Sequence, residues 1–180
     1  MKPRVSVLTI GVSDLEAAVL FYLGGYLFTV LAAFMVIAVV LRETGAEEIA
    51  NLKGLHSRSP LLAAGLTLSM VSLAGLPPLV GFFGKFLLIK AALGAAAAQP
   101  MFYGVVGVTI VGVVISLYYY FGVIRAAYWR SESAAPEPIL PSLTARLTIG
   151  ACMAGVIILG VFPSGLLESA TQAVRSLGLN

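Results

Sequence analysis

One cysteine and one histidine among 180 residues leave almost nothing from which to build a metal centre, and acidic side chains number only eight. Cys152 lies inside an apolar run, so an internal disulfide is excluded, and so is an iron–sulfur cluster, which takes several thiolates. It reads as a small apolar filler. His56 sits in a polar loop with no second His or Cys near enough to complete a metal site. The long apolar runs hold no carboxylate, so neither a Ser-His-Asp nor a Cys-His constellation can form. Two nucleotide motifs also fail. Gly75 and Gly81 have the wrong spacing before Gly84-Lys85 for a phosphate loop, with Phe86 where a metal-binding Ser or Thr would stand. The glycines at 104, 107 and 112 follow no dinucleotide pattern and no strand precedes them. No metal and no cofactor is expected on this chain.

Charge is the other scarcity. Only 11% of residues are charged, against roughly 25% in soluble domains, while 59% are hydrophobic and the mean hydropathy is +1.01. This is the composition of an integral membrane protein. Residues 17–41, 59–84, 91–124 and 147–167 carry no charge at all, and each run is long enough to cross a bilayer, which takes about 20 residues. The net charge of +3 is spread over segment ends rather than gathered in a patch, so no nucleic acid is implied. Lys2 and Arg4 precede an apolar stretch, but it is short, meets Asp14 and lacks a small-residue cleavage site; a signal peptide is not expected.

The expected fold is an all-α polytopic bundle, one membrane domain over residues 1–180 with four crossings. The first spans about 18–41, with Gly24, Gly25, Ala32 and Ala33 for close packing. A polar segment, 42–59, follows and has room for a short surface helix before Pro60. Residues 61–93 would make a straight helix of about 50 Å, too long for a core of about 30 Å, yet two full spans plus a turn do not fit. The economical reading is one broken crossing, 61–74 plus 79–93, joined at Gly75-Leu76-Pro77-Pro78, with Pro78 in the first turn of the second half. The third crossing is 102–124, with Gly104, Gly107 and Gly112 for close packing, and its end carries Tyr118, Tyr119, Tyr120, Tyr128 and Trp129 as an interfacial belt. Residues 131–141 are a linker. The fourth crossing is 147–161, and 166–180 reads as an interfacial amphipathic tail. Loops 42–59 and 125–146 hold six basic residues against three on the other side, which places those loops in the cytoplasm and both termini outside.

Within the broken crossing stands Lys85. An ammonium at bilayer depth costs about 2.5–3.5 kcal/mol, so such a residue usually faces a bundle interior or a wet cavity and marks an ion or proton path. Burial disfavours the charged form of any lysine and can bring both protonation states within reach near neutral pH. Lys90, nearer the end of its half-helix, fits snorkelling to the interface. Lys85 is therefore the expected proton relay, with Gly75, Pro77 and Pro78 as the helix break and one of Tyr118, Tyr119 and Tyr120 as a minority candidate for lining a water chain.

These residues resemble a known family. Ser59-Pro60, Ser72-Leu73-Ala74-Gly75-Leu76-Pro77-Pro78, Gly81-Phe82-Phe83-Gly84-Lys85-Phe86 and Leu117-Tyr118-Tyr119-Tyr120, with Tyr22 to Phe28 and Leu52 to Leu55, are similar to the C-terminal third of subunit N of NADH-quinone oxidoreductase, respiratory complex I. The resemblance covers about residues 14–167. It implies a proton-translocating subunit of the bacterial plasma membrane, holding no redox centre itself, among other membrane subunits of a complex that uses NADH and quinone. By the same resemblance Lys85 is the broken-helix lysine that exchanges protons with the outer face. The proline break is shared with Mrp-type cation/proton antiporters, so an antiporter subunit is the alternative, and a structural membrane module without transport is the third. The family's full subunits have about fourteen spans in two inverted repeats, and most of those are absent here.

Overall fold

The computed structural model describes residues 4–45, 48–97, 99–129 and 137–176, with side chains from Leu15 onward. Among these residues every regular element is helical. They are α1 (Arg4–Thr44), α2 (Leu55–Arg58), α3 (Pro60–Ala74), α4 (Val80–Ala96), α5 (Met101–Tyr128), α6 (Leu143–Val161) and α7 (Ser164–Ser176), with a 3-10 turn at Ile49–Leu52. Three stretches are long and apolar enough to cross a membrane: Leu15–Thr44, Met101–Tyr128 and Leu143–Val161.

Helix α1 is the hub, packing against α3, α4, α6 and α7. Its inward face is built mostly from small side chains, Ala17, Ala18, Ala32 and Ala33, which let neighbours approach closely, with Phe21, Val36 and Val40 filling the space between. It starts at Arg4, well before the expected residue 18. One aspartate in a helix interior costs under about 0.7 kcal/mol, so Asp14 does not stop it. Two apolar clusters hold the bundle. One joins Val36, Leu55, Leu62, Leu66 and Ile149; the other, Phe21, Leu79, Val80 and Val156, surrounds the start of α4.

The short helix expected in the polar segment is α2, just before Pro60, and together with the 3-10 turn it tucks Leu52 and Leu55 inward. Other expectations are corrected. Pro78 is not in the first turn of α4, because that helix starts at Val80 with Leu79 as its N-cap. Helix α5 runs past Ile124 to Tyr128. Arg125 suits the negative end of a helix and lies over the Trp129 ring at 5.3 Å. Gly104, Gly107 and Gly112 make no close contact among the described residues, since a side chain at any of them would meet nothing within 4 Å there. The buried residues of α5 are Val106 and Ala127, on its other side. The linker is held where it is described: Ile139 is buried, and its N–H donates to the Arg58 carbonyl at 3.0 Å. Residues 131–136 lie outside the described residues. The tail is helical from Ser164, with Ala170 and Val174 buried and Leu166 over Gly24 of α1.

Helix α6 starts at Leu143 because Ser142 caps it, its hydroxyl oxygen accepting from the Ala145 N–H at 3.3 Å. Replacing Ser142 by alanine removes that partner, and stability is expected to fall by about 1 kcal/mol. A lowered unfolding temperature of the detergent-solubilised protein checks this; an unchanged one contradicts it.

Candidate functional site at the helix break

Helix α3 has to end at Gly75, because its φ of 81° lies in the left-handed region where a side chain is strained. The ending is a Schellman motif: the Gly75 N–H donates to Ser72 O at 2.9 Å and the Leu76 N–H to Val71 O at 3.2 Å. Pro77 and Pro78 then block any resumption of the helix, and α4 begins two residues later.

That motif leaves the Leu73 carbonyl without a helical partner. Lys85, one and a half turns into α4, reaches back and donates from Nζ to Leu73 O at 2.6 Å. The pairing is favourable twice over: it is charge-assisted, and it sets a cation at the negative end of a helix. At the start of α4 the geometry is mirrored. Leu79 offers no capping side chain, and the Gly81 N–H donates instead to the Ser72 hydroxyl of α3 at 3.2 Å. Each half-helix therefore caps the other. The crossing is so close that a Cβ on Gly81 would collide with the Ser72 carbonyl, and one on Gly160 of α6 with the Pro78 carbonyl.

Beside the lysine is a cavity of about 10 Å³, lined by Tyr22, Tyr26, Thr29, Ser72, Leu73, Gly81 and Lys85. That is roughly the room one water needs. Tyr22 and Tyr26 stack at 5.8 Å. Lys85 is half-buried, and among the described residues no carboxylate lines its cavity. Lys90 is exposed and lines a separate cavity of about 340 Å³ with Leu87, Ala17, Ala18 and Leu167.

Lys85, Gly75, Pro77 and Pro78 thus come together. The tyrosine triplet does not join them as a unit: Tyr118 and Tyr119 are 81% and 66% exposed on the outer face of α5, while Tyr120 turns inward against the apolar cluster. His56 stacks on Tyr128 at 5.5 Å, with Nδ1 3.3 Å from the Ala127 carbonyl. Among the described residues no group of His, Cys, Asp and Glu is placed to hold a metal ion. Tyr22, Tyr26, Thr29 and Ser72 are site residues beyond those the sequence points to. The available signal was their spacing, since Tyr22, Tyr26 and Thr29 fall at i, i+4 and i+7 on one helix face and Thr29 is the lone Ser or Thr in the charge-free run 17–41.

A polytopic helical bundle with one broken helix and a cation folded onto the break defines a class of membrane protein. The chain belongs to the NADH:quinone oxidoreductase/Mrp antiporter transmembrane family, whose model matches residues 5–111. It is 38% identical over 178 residues to NADH-quinone oxidoreductase subunit N of Heliobacterium modesticaldum, covering 97% of this chain and 36% of that protein. With subunit N of Desulfitobacterium hafniense the identity is 40% over 162 residues, covering 88% and 31%. Respiratory complex I from Thermus thermophilus with bound aureothin contains a chain that matches with a TM-score of 0.63 and 31% identity, over 86% of this chain and 36% of that one. The same complex with bound NADH has a chain that shares the fold at a TM-score of 0.56 and 21% identity, over 95% and 44%. The chain spans about a third of the length of the curated relatives it matches.

Proposed function

We propose that this chain is the C-terminal part of an N-type, proton-translocating subunit of NADH-quinone oxidoreductase, and that Lys85 is its proton carrier. In this reading α3 and α4 form one broken crossing, giving four in all. Loops 42–59 and 125–146 face the cytoplasm, both termini lie outside, and the membrane is the bacterial plasma membrane. NADH and quinone are handled by neighbouring subunits, whose redox energy drives the proton through this one. The relatives named above are N subunits, which favours this over an Mrp-type antiporter subunit.

The observation that carries the proposal is the Lys85–Leu73 contact. The ammonium meets a backbone carbonyl, which holds the protonated form without the permanent counter-charge that would lock it there. A small cavity with the side chains of Tyr22, Tyr26, Thr29 and Ser72 in its wall lies next to the amine, and the carbonyl lies at a point where the helix is already broken. A lysine that has to load and unload a proton needs this intermediate grip.

The test is Lys85→Met in the assembled complex. NADH-driven proton uptake into inverted membrane vesicles is expected to fall to background and quinone reduction to slow with it. NADH oxidation by artificial acceptors and the amount of complex are expected to stay close to wild type. Undiminished proton uptake would refute the proposal, and uptake that persists without NADH would favour the antiporter reading.

A further inference from the structure

Thr29 and Ser72 are 1% and 0% exposed, and both touch the Lys85 cavity without being the carrier. The buried hydroxyl of Ser69 satisfies itself in the ordinary way, by donating to the carbonyl four residues back in its own helix, Gly65 O at 2.8 Å. Ser72 does otherwise and bridges helices.

The directions of its bonds follow from what each group can do. The Gly81 N–H can only donate, so the Ser72 oxygen accepts there at 3.2 Å and keeps its own proton free. The Gly25 carbonyl can only accept, so Thr29 gives its proton to it at 2.9 Å. Between the two hydroxyls, 3.2 Å apart, Ser72 must then donate to Thr29. One directed chain runs from Gly81 of α4 through Ser72 of α3 and Thr29 of α1 to the Gly25 backbone. Both ends are backbone groups that do not titrate, so the chain cannot carry a transported proton. It can only hold geometry.

What it holds is the lysine. Ser72 adjoins Leu73, whose carbonyl receives Nζ, and Gly81 lies one turn before Lys85 on the same helix. Fixing Ser72 to Gly81 fixes both partners of that contact, and Thr29 fixes Ser72 to the hub helix. We infer that Thr29 is a positioning residue for proton transfer: through Ser72 it sets the crossing that lays the Lys85 amine on the Leu73 carbonyl. This rests on Lys85 being the carrier.

The experiment compares Thr29→Val, Thr29→Ser, Ser72→Ala and Lys85→Met in the complete membrane-embedded complex, reading protons moved per NADH oxidised at matched amounts of assembled complex. Thr29→Val keeps a similar shape without the hydroxyl and is expected to lower that ratio several-fold. Ser72→Ala cuts the same link from the other side and should match it, which covers the case in which Thr29→Val fails to assemble. Thr29→Ser restores the hydroxyl and is expected to recover most of the loss. A normal ratio in Thr29→Val or Ser72→Ala overturns the inference, as does a Thr29→Ser variant as impaired as Thr29→Val. An unimpaired Lys85→Met overturns the carrier assignment itself, whereas a dead Lys85→Met beside a normal Ser72→Ala removes only the role given to Thr29.

Discussion

Arginine at position 85 is expected to leave the complex assembled and proton transfer abolished. A guanidinium has the reach and the donors to satisfy the Leu73 carbonyl, and its charge suits the end of α3 as the ammonium does. The two side chains differ in one respect that matters here. Arginine does not release its proton in proteins, whereas lysine can when burial and hydrogen bonding are balanced. Lys85→Arg therefore separates two roles of one residue, capping a helix and carrying a proton, which Lys85→Met removes together. Methionine should lower the thermal stability of the solubilised subunit by about 1.5–3 kcal/mol, the range for a hydrogen bond to a charged group, and arginine should restore most of it. Proton uptake into vesicles should be at background in both. If arginine pumps, position 85 supplies only a fixed charge and the carrier must be sought elsewhere.

The second large effect is expected from a single methyl group. Gly81 passes the end of α3 so closely that a Cβ there would overlap the Ser72 carbonyl, a backbone atom that cannot swing away as a side chain can. Relief requires the half-helices to separate, which breaks the Gly81–Ser72 bond and draws Lys85 off Leu73. Overpacking usually costs about 1–3 kcal/mol, and a backbone clash at a crossing should exceed that range. Gly81→Ala is expected to reduce the assembled complex to a small fraction of wild type on native gels. Two controls give the result its meaning. At Gly84 the new atom would come 2.8 Å from a Tyr22 ring carbon, which can give way, and 3.3 Å from the Tyr22 Cα, a looser backbone approach than at Gly81, so alanine there should be milder. At Gly94 it would meet nothing within 4 Å, and alanine should be neutral or stabilising by up to about 1 kcal/mol through helix propensity. Equal losses at all three positions would mean that glycine is needed for some reason other than the crossing.

Much of this architecture could be read from residue order because the physics behind it is local. A run without charge long enough to span is visible as composition, and a double proline cannot lie in a helix interior without breaking it. Ser164–Ser176 shows its amphipathic face in its own spacing, and Lys85 is conspicuous because ionised groups are costly among Phe and Leu. Other features were readable only as possibilities. A glycine in a span permits close approach without naming the neighbour: Gly25 meets Val80, while Gly104, Gly107 and Gly112 meet nothing among the described residues. Tyr118, Tyr119 and Tyr120 are adjacent in sequence, but about 100° separates successive residues on a helix, so only Tyr120 turns inward.

Sequence alone determined that the chain is a bundle of membrane helices, that one helix breaks at Gly75 to Pro78, and that a lysine stands just past the break. Tertiary structure alone decided which groups the lysine meets. Leu73 and Lys85, Ser72 and Gly81, and Thr29 and Ser72 are 12, 9 and 43 residues apart. No periodicity within one helix specifies a hydrogen bond between helices, because the angle and depth of a crossing are set by the summed packing of the glycines and side chains of α1, α3, α4 and α6.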